Sequence, residues 1–123
     1  MKLLVDTSIW VDHFQGKDTQ LDEPPSRASP RLLHPFVFGE LLLAGLPKDR
    51  SLRQNLQALS EAPVAATFEV AQLIEAATLS GTGIGYVDAH LLASAQLLDD
   101  GRIVTRDNAL AQQAKRFGVL FDA

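Results

Sequence analysis

Four carboxylates, Asp6, Glu40, Asp88 and Asp107, stand where acidic side chains are costly or where open α/β folds place ligands. Glu40 has Phe36 and Val37 before it and Leu43 and Ala44 after it, at helical i±3 and i±4 spacing. Asp88 has Leu91, Leu92 and Ala95 at i+3, i+4 and i+7. Both are therefore expected on or beside an apolar helix face, where an unpaired charge costs roughly several kcal/mol. Asp6 and Asp107 come from a different context. Each follows a short apolar run, Leu3-Leu4-Val5 and Ile103-Val104-Thr105, which places them at the carboxyl ends of parallel strands, the edge that carries ligand sites. Asp88 opens its helix and Glu40 falls within the first turn or so of its own, so all four are expected on one rim. Carboxylates that close raise one another's pKa values. A hard divalent cation, Mg²⁺ or Mn²⁺, relieves the conflict with oxygen ligands and retained water. The chemistry such a site serves is phosphodiester hydrolysis by activated water. Thr7, Ser8 and Thr105 add hydroxyls able to orient carboxylates or waters.

Taken singly, each acid has an ordinary explanation. Asp6 and Asp107 are good helix caps, Asp88 suits the positive end of a helix dipole, and Glu40 could pair with a buried arginine. The four together on one edge are what those explanations do not cover. Other reactive residues are weaker candidates. Asp88 and His90 are two apart on a helix and point different ways, so they do not share a metal; His13, His34 and His90 read as structural. Ser8 and Ser94 lack a Gly-x-Ser-x-Gly elbow. Gly81-Thr-Gly-Ile-Gly85 lacks the lysine and the strand-to-helix setting of a phosphate loop and reads as a loop positioning Asp88. Arg102, Arg106, Lys115 and Arg116 flank the last acid, as phosphate contacts or as a solvated helix face. Trp10 and Phe14 read as core, or as the border of a partner groove.

The elements that must hold these acids alternate. Leu3–Val5 reads as a strand, and Thr7–Phe14 as a helix capped by Asp6 or Thr7. Residues 16–30, with Pro24, Pro25 and Pro30, read as a loop or broken helix. Leu32 and Leu33 belong to a short strand ending near His34-Pro35. Residues 36–46 read as a buried helix ended by Pro47, and 47–60 as a polar helix with Leu52, Leu56 and Leu59 on one side. A weak strand at 63–66 precedes a helix opening at Thr67, with Val70, Leu73, Ile74 and Ala77 on its apolar stripe. Residues 87–98 form a helix stopped by Asp99-Asp100-Gly101. A strand at 102–105, a helix at 107–117 with Gly118 as its cap, and a last strand at 119–121 complete the chain. Strands alternating with helices imply parallel pairing and an α/β layer fold.

The bulk composition agrees. A chain of 123 residues, 46% hydrophobic and 21% charged, suits a single domain over residues 1–123. It has no cysteine, so thiolate catalysis and Cys-based zinc are excluded, and a reducing cytoplasm is the expected location. Asp6 arrives too early for a signal-peptide core, and no apolar run reaches membrane-spanning length. The net charge of −4 argues against a general nucleic-acid binder. Setting aside the four clustered acids leaves a balanced chain, and a divalent cation would make their region attractive to phosphate.

Leu3-Leu-Val-Asp-Thr-Ser-Ile-Trp10, His34-Pro-Phe-Val-Phe-Gly-Glu-Leu41, Gly83-Ile-Gly-Tyr-Val-Asp-Ala-His-Leu-Leu-Ala-Ser-Ala95 and Thr105-Arg-Asp-Asn-Ala-Leu110 resemble, in order, the four acidic motifs of PIN domains, specifically the VapC-type toxins of toxin–antitoxin pairs. The resemblance spans residues 3 to 110. It implies a central parallel five-stranded sheet flanked by helices and Mg²⁺- or Mn²⁺-dependent cleavage of RNA. It also implies a cognate antitoxin protein that inhibits the toxin, and a homodimer that can enter a larger toxin–antitoxin assembly. By motif, Asp6 and Asp88 would be the direct metal ligands. Glu40 and Asp107 would complete the site directly or through water, with Thr105 and Ser8 in support. One departure is visible: Asp22-Glu-Pro-Pro-Ser-Arg-Ala-Ser-Pro30 stands where relatives usually carry a regular helix. Two other classes compete. A phosphatase of the haloacid-dehalogenase type also has an Asp after its first strand, but wants a second Asp two residues on, where this chain has Ser8. A PIN-like module without catalysis, binding RNA or protein, would not need all four acids.

Overall fold

The run Leu3-Leu4-Val5 has no polar alternation, the pattern of a strand buried on both faces, and it lies at the heart of the molecule. The computed structural model describes residues 1–17 and 29–122; the proline-rich departure at 22–30 lies largely outside them. Four strands, β1 (Lys2–Val5), β2 (Arg31–Leu33), β3 (Ser60–Glu61) and β4 (Gly101–Val104), pair in parallel in the order β3-β2-β1-β4. β1 is thus central, with Leu4 against Leu32 on one side and Ile103 on the other. The helices are α1 (Thr7–Phe14), α2 (Pro35–Leu43), α3 (Arg50–Gln57), α4 (Thr67–Ala76), α5 (Tyr86–Leu97) and α6 (Asn108–Arg116). Leu4, Leu41, Leu91, Leu92, Ile103 and Leu110 are fully buried between sheet and helices. α5 is sheathed on all sides, every residue from Ala89 to Ala95 being buried. Gly101 lets β4 start directly beneath it: a Cβ there would sit 2.7 Å from the Ala95 carbonyl oxygen and 2.9 Å from Leu98 Cβ.

Three expectations need correction. The sheet has four strands rather than five. The segment expected as a fifth meets β4 only at a single parallel bridge between Ile103 and Leu120, through Ile103 N–H to Val119 O at 2.7 Å and Phe121 N–H to Ile103 O at 2.9 Å, too short a pairing to make a strand. The edge strand expected at 63–66 lies at Ser60–Glu61 instead. Ala62 N–H still donates to Leu33 O at 2.9 Å, and Pro63, having no N–H, cannot extend the ladder. Finally, α2 is not a buried helix. It stops at Leu43, before Pro47, because Gly45 adopts φ +75° and closes a Schellman turn through Leu46 N–H to Leu41 O at 2.9 Å. Val37 and Leu41 face the core, whereas Leu43 is 91% exposed.

Candidate active site

Asp6 ends β1 and caps α1. It is buried, at 5% exposure, and both of its oxygens are held. Oδ1 accepts from Thr7 N–H at 2.7 Å, and Oδ2 accepts from the Ser8 hydroxyl at 2.9 Å and the Thr105 hydroxyl at 2.8 Å. Three donors hold both carboxylate oxygens in a fixed orientation. Ser8 Oγ in turn accepts from Arg106 N–H at 3.3 Å, and Thr105 Oγ1 from Asp107 N–H at 3.0 Å. The ends of β1 and β4 are thereby tied together through hydroxyls.

The other three acids surround this one. Asp107 caps α6, its Oδ1 accepting from Leu110 N–H at 2.9 Å. Glu40, on the second turn of α2, accepts from the Thr7 hydroxyl at 2.6 Å. Asp88 sits in the first turn of α5 and reaches back to Gly85 N–H at 2.9 Å, so the glycine loop does position it. Burial raises the Asp88 carboxyl above its ordinary value; the Gly85 N–H acts against this, and the charges of Asp6, Asp107 and Glu40 push it further up. Three acids from three separate segments thus act electrostatically on the fourth.

The burial of the four differs from the reading of the sequence. Glu40 is exposed, because the apolar neighbours Phe36 and Leu43 that share its stripe are themselves exposed. Asp107 is exposed, Asp88 half-buried, and the buried charge is Asp6. The most enclosed of the four is therefore the acid whose context looked most like a plain helix cap.

The donor set suits a hard divalent cation. All four groups offer oxygen, and among the described residues none of the four forms an ion pair. One oxygen each of Asp88, Glu40 and Asp107 accepts no hydrogen bond among these residues, its neighbour being the one held. Among the described residues no three His, Asp or Glu side chains enclose a metal ion by themselves. An open rim of this kind fits a cation that keeps several waters and takes one or two carboxylates directly.

The expected basic residues separate. Arg106 lies at the rim, paired with Asp12 of α1, which also holds Lys17 at 3.5 Å. Arg102 pairs with Asp100 at 3.0 Å at the opposite end of β4, and Arg116 donates to Ala77 O at 2.7 Å; both do structural work. His34 caps α2 by accepting from Phe36 N–H at 3.0 Å. Burial, with the nearby His90, lowers its pKa to about 4, and burial lowers that of His90 as well. Ser8, where phosphatase chemistry would need a second acid, donates to Asp6.

A family model described as PIN domain matches residues 3–116. Two proteins of Mycobacterium tuberculosis, each named Ribonuclease VapC32, from the strains CDC 1551 / Oshkosh and ATCC 25618 / H37Rv, are each 35% identical to this chain over 117 residues, covering 95% of it and 94% of the relative. The matched span contains residues 3–5 of β1, all of β4 and every one of the four acids, and with that likeness over nearly the whole length the chain belongs to the PIN-domain family, and within it to the VapC type.

Proposed function

We propose that this protein is a metal-dependent endoribonuclease that acts as the toxin of a toxin–antitoxin pair and works as one domain. The observation that carries the reading is the convergence of three carboxylates, Asp6, Glu40 and Asp107, on a half-buried fourth, Asp88; the ribonuclease named among its relatives points the same way. Asp6 and Asp88 hold Mg²⁺ or Mn²⁺ directly, and Glu40 and Asp107 complete the site directly or through water. When bound, the cation supplies Lewis acidity for water activation and offsets charge on the phosphodiester. The chain's own contribution is orientation: Ser8 and Thr105 fix Asp6, Thr7 fixes Glu40, and Gly85 fixes Asp88. No side chain is required as a covalent nucleophile.

The VapC type carries with it a cognate antitoxin protein and action on RNA in the cytoplasm. Among the described residues no helix is long and apolar enough to cross a membrane. A homodimer is part of the same proposal. Leu97 of α5, 51% exposed, lines a groove of about 350 Å³ together with Ala65, Leu73, Ala76 and Ala93 and the polar Glu69, Gln72 and Gln96, the surface on which a second copy would pack and from which a larger assembly with antitoxin would grow.

The test is cleavage of single-stranded RNA with Mn²⁺ or Mg²⁺ supplied. Groups that only support a metal ligand are worth about 10- to 100-fold, so Asp6→Asn or Asp88→Asn is expected to cost about a hundredfold or more, and EDTA to abolish cleavage. Undiminished activity in the folded double variant would sink the reading. Calorimetry showing no Mn²⁺ binding would favour a module that keeps the fold without the chemistry.

A further inference from the structure

Two aromatic rings stand exposed at the acidic rim with no role in the site as described. Phe36, one helical turn before Glu40, is 38% exposed, and Tyr86, two residues before Asp88, is 52% exposed. They belong to the first turns of different helices, α2 and α5. Buried His90 lies between them, its ring 4.5 Å from Phe36 and 4.8 Å from Tyr86, both edge to face. His34 closes the back, 5.1 Å from Phe36 and 6.0 Å from His90. The two imidazoles, 1% and 2% exposed, brace the outer rings from behind, so both rings are held in place while part of each meets solvent.

We propose that Phe36 and Tyr86 form a stacking platform for nucleobases of single-stranded RNA next to the scissile phosphate. The inference rests on the nuclease reading above and adds how the substrate is held. Several observations favour a base as the occupant. Phe36 and Tyr86 belong to the first turns of the two helices that carry Glu40 and Asp88, so nucleotides flanking a phosphodiester at the four acids would have these rings within reach at the same end of the helices. The protein is acidic, at −4, and the rim guanidinium of Arg106 is already engaged by Asp12, which limits what phosphate attraction contributes beside the site. Base–aromatic stacking supplies affinity without charge and accepts every base, which suits a single strand rather than a duplex, whose bases are already stacked.

The chain contains one tyrosine, so replacing it with 3-fluorotyrosine gives a single ¹⁹F resonance that reports on the platform. In a cleavage-silent Asp88→Asn background, a short single-stranded RNA of mixed sequence is expected to shift that resonance, whereas a ribose–phosphate chain of equal length without bases is not. Phe36→Leu combined with Tyr86→Leu is expected to weaken binding of the RNA roughly tenfold or more and to leave binding of the base-free chain unaltered; Tyr86→Phe, which keeps the ring, retains RNA affinity. Because the comparison is between two ligands on one folded protein, loss of stability in the double variant does not imitate the result. Binding of RNA with an unmoved resonance and no loss in the ring-free variant would overturn the platform and leave the rings as a surface for a protein partner. That outcome is distinct from an absence of RNA cleavage by the wild-type protein, which overturns the nuclease reading beneath it.

Discussion

At the scale of single residues, Asp6 and Asp88 do different physical work although both are assigned to one cation. Asp6 is buried and held by three donors, so its hydrogen bonds are part of the fold. Asp88 is half-buried, held by one N–H and pushed toward its neutral form by burial and by its neighbours. Asparagine keeps an oxygen for the single Gly85 N–H, but presents an amide where Asp6 offers a charged acceptor to two hydroxyls. In metal-free protein, Asp6→Asn is therefore expected to lower stability by about 1–2 kcal/mol, whereas Asp88→Asn is expected to raise the thermal midpoint. Denaturant and thermal melts of both variants in EDTA check this, and equal losses would contradict it. The inequality was not legible in the sequence, because an acid after a strand reads as a helix cap whether or not it is also enclosed. Asp6 is both, and only the meeting of β1, Ser8 and Thr105 makes it so.

At the scale of elements, the helices whose apolar stripes are closed by local signals were the legible ones. α1, α5 and α6 begin and end within two residues of their expected bounds, since capping acids, glycines and the i, i+3, i+4 rhythm are encoded nearby. α2 was misread because every residue of Phe36-Val-Phe-Gly-Glu-Leu-Leu-Leu43 except Gly39 and Glu40 is a large apolar side chain, and only tertiary packing decides which of them are covered. Its cap carries a pH dependence. The His34 pKa is lowered from 6.5 to about 4, so across that interval the unfolded chain takes up a proton that the native chain refuses. Stability contributed by neutral His34 is present above about pH 6.5 and is lost as pH falls toward 4, by at most roughly 3 kcal/mol. His34→Asn keeps a good capping side chain and removes the titration. Urea midpoints compared at neutral pH and about two units lower are expected to show a shallower decline in the variant.

At the scale of the whole molecule, the parallel sheet and the placement of the acids at its carboxyl edge followed from alternating strands and helices, while the number of strands did not. A fifth strand needs several residues in register, and a single bridge at Leu120 is indistinguishable from a strand when only Val119-Leu-Phe121 is read. Surface association belongs to this scale as well. The exposed Leu97 in the α4–α5 groove is expected to be covered in a dimer, so sedimentation of the wild type should report two copies and Leu97→Glu should shift the equilibrium toward one. A wild-type protein that sediments as a monomer at high concentration would remove the homodimer from the proposal.

The hydrogen bond from Thr105 to Asp6 joins residues 99 positions apart, and β1 pairs along its full length with β4. During synthesis on the ribosome, β1 emerges early and can pair with β2, but its pairing with β4 waits until Gly101–Val104 have been made. Until then Asp6 lacks a donor, and neither Thr105 nor Asp107 exists. A nascent or truncated chain that stops short of Thr105 therefore carries three of the four acids without the hydroxyl that ties the end of β4 to Asp6, and the four-acid rim assembles only once both strands have been made.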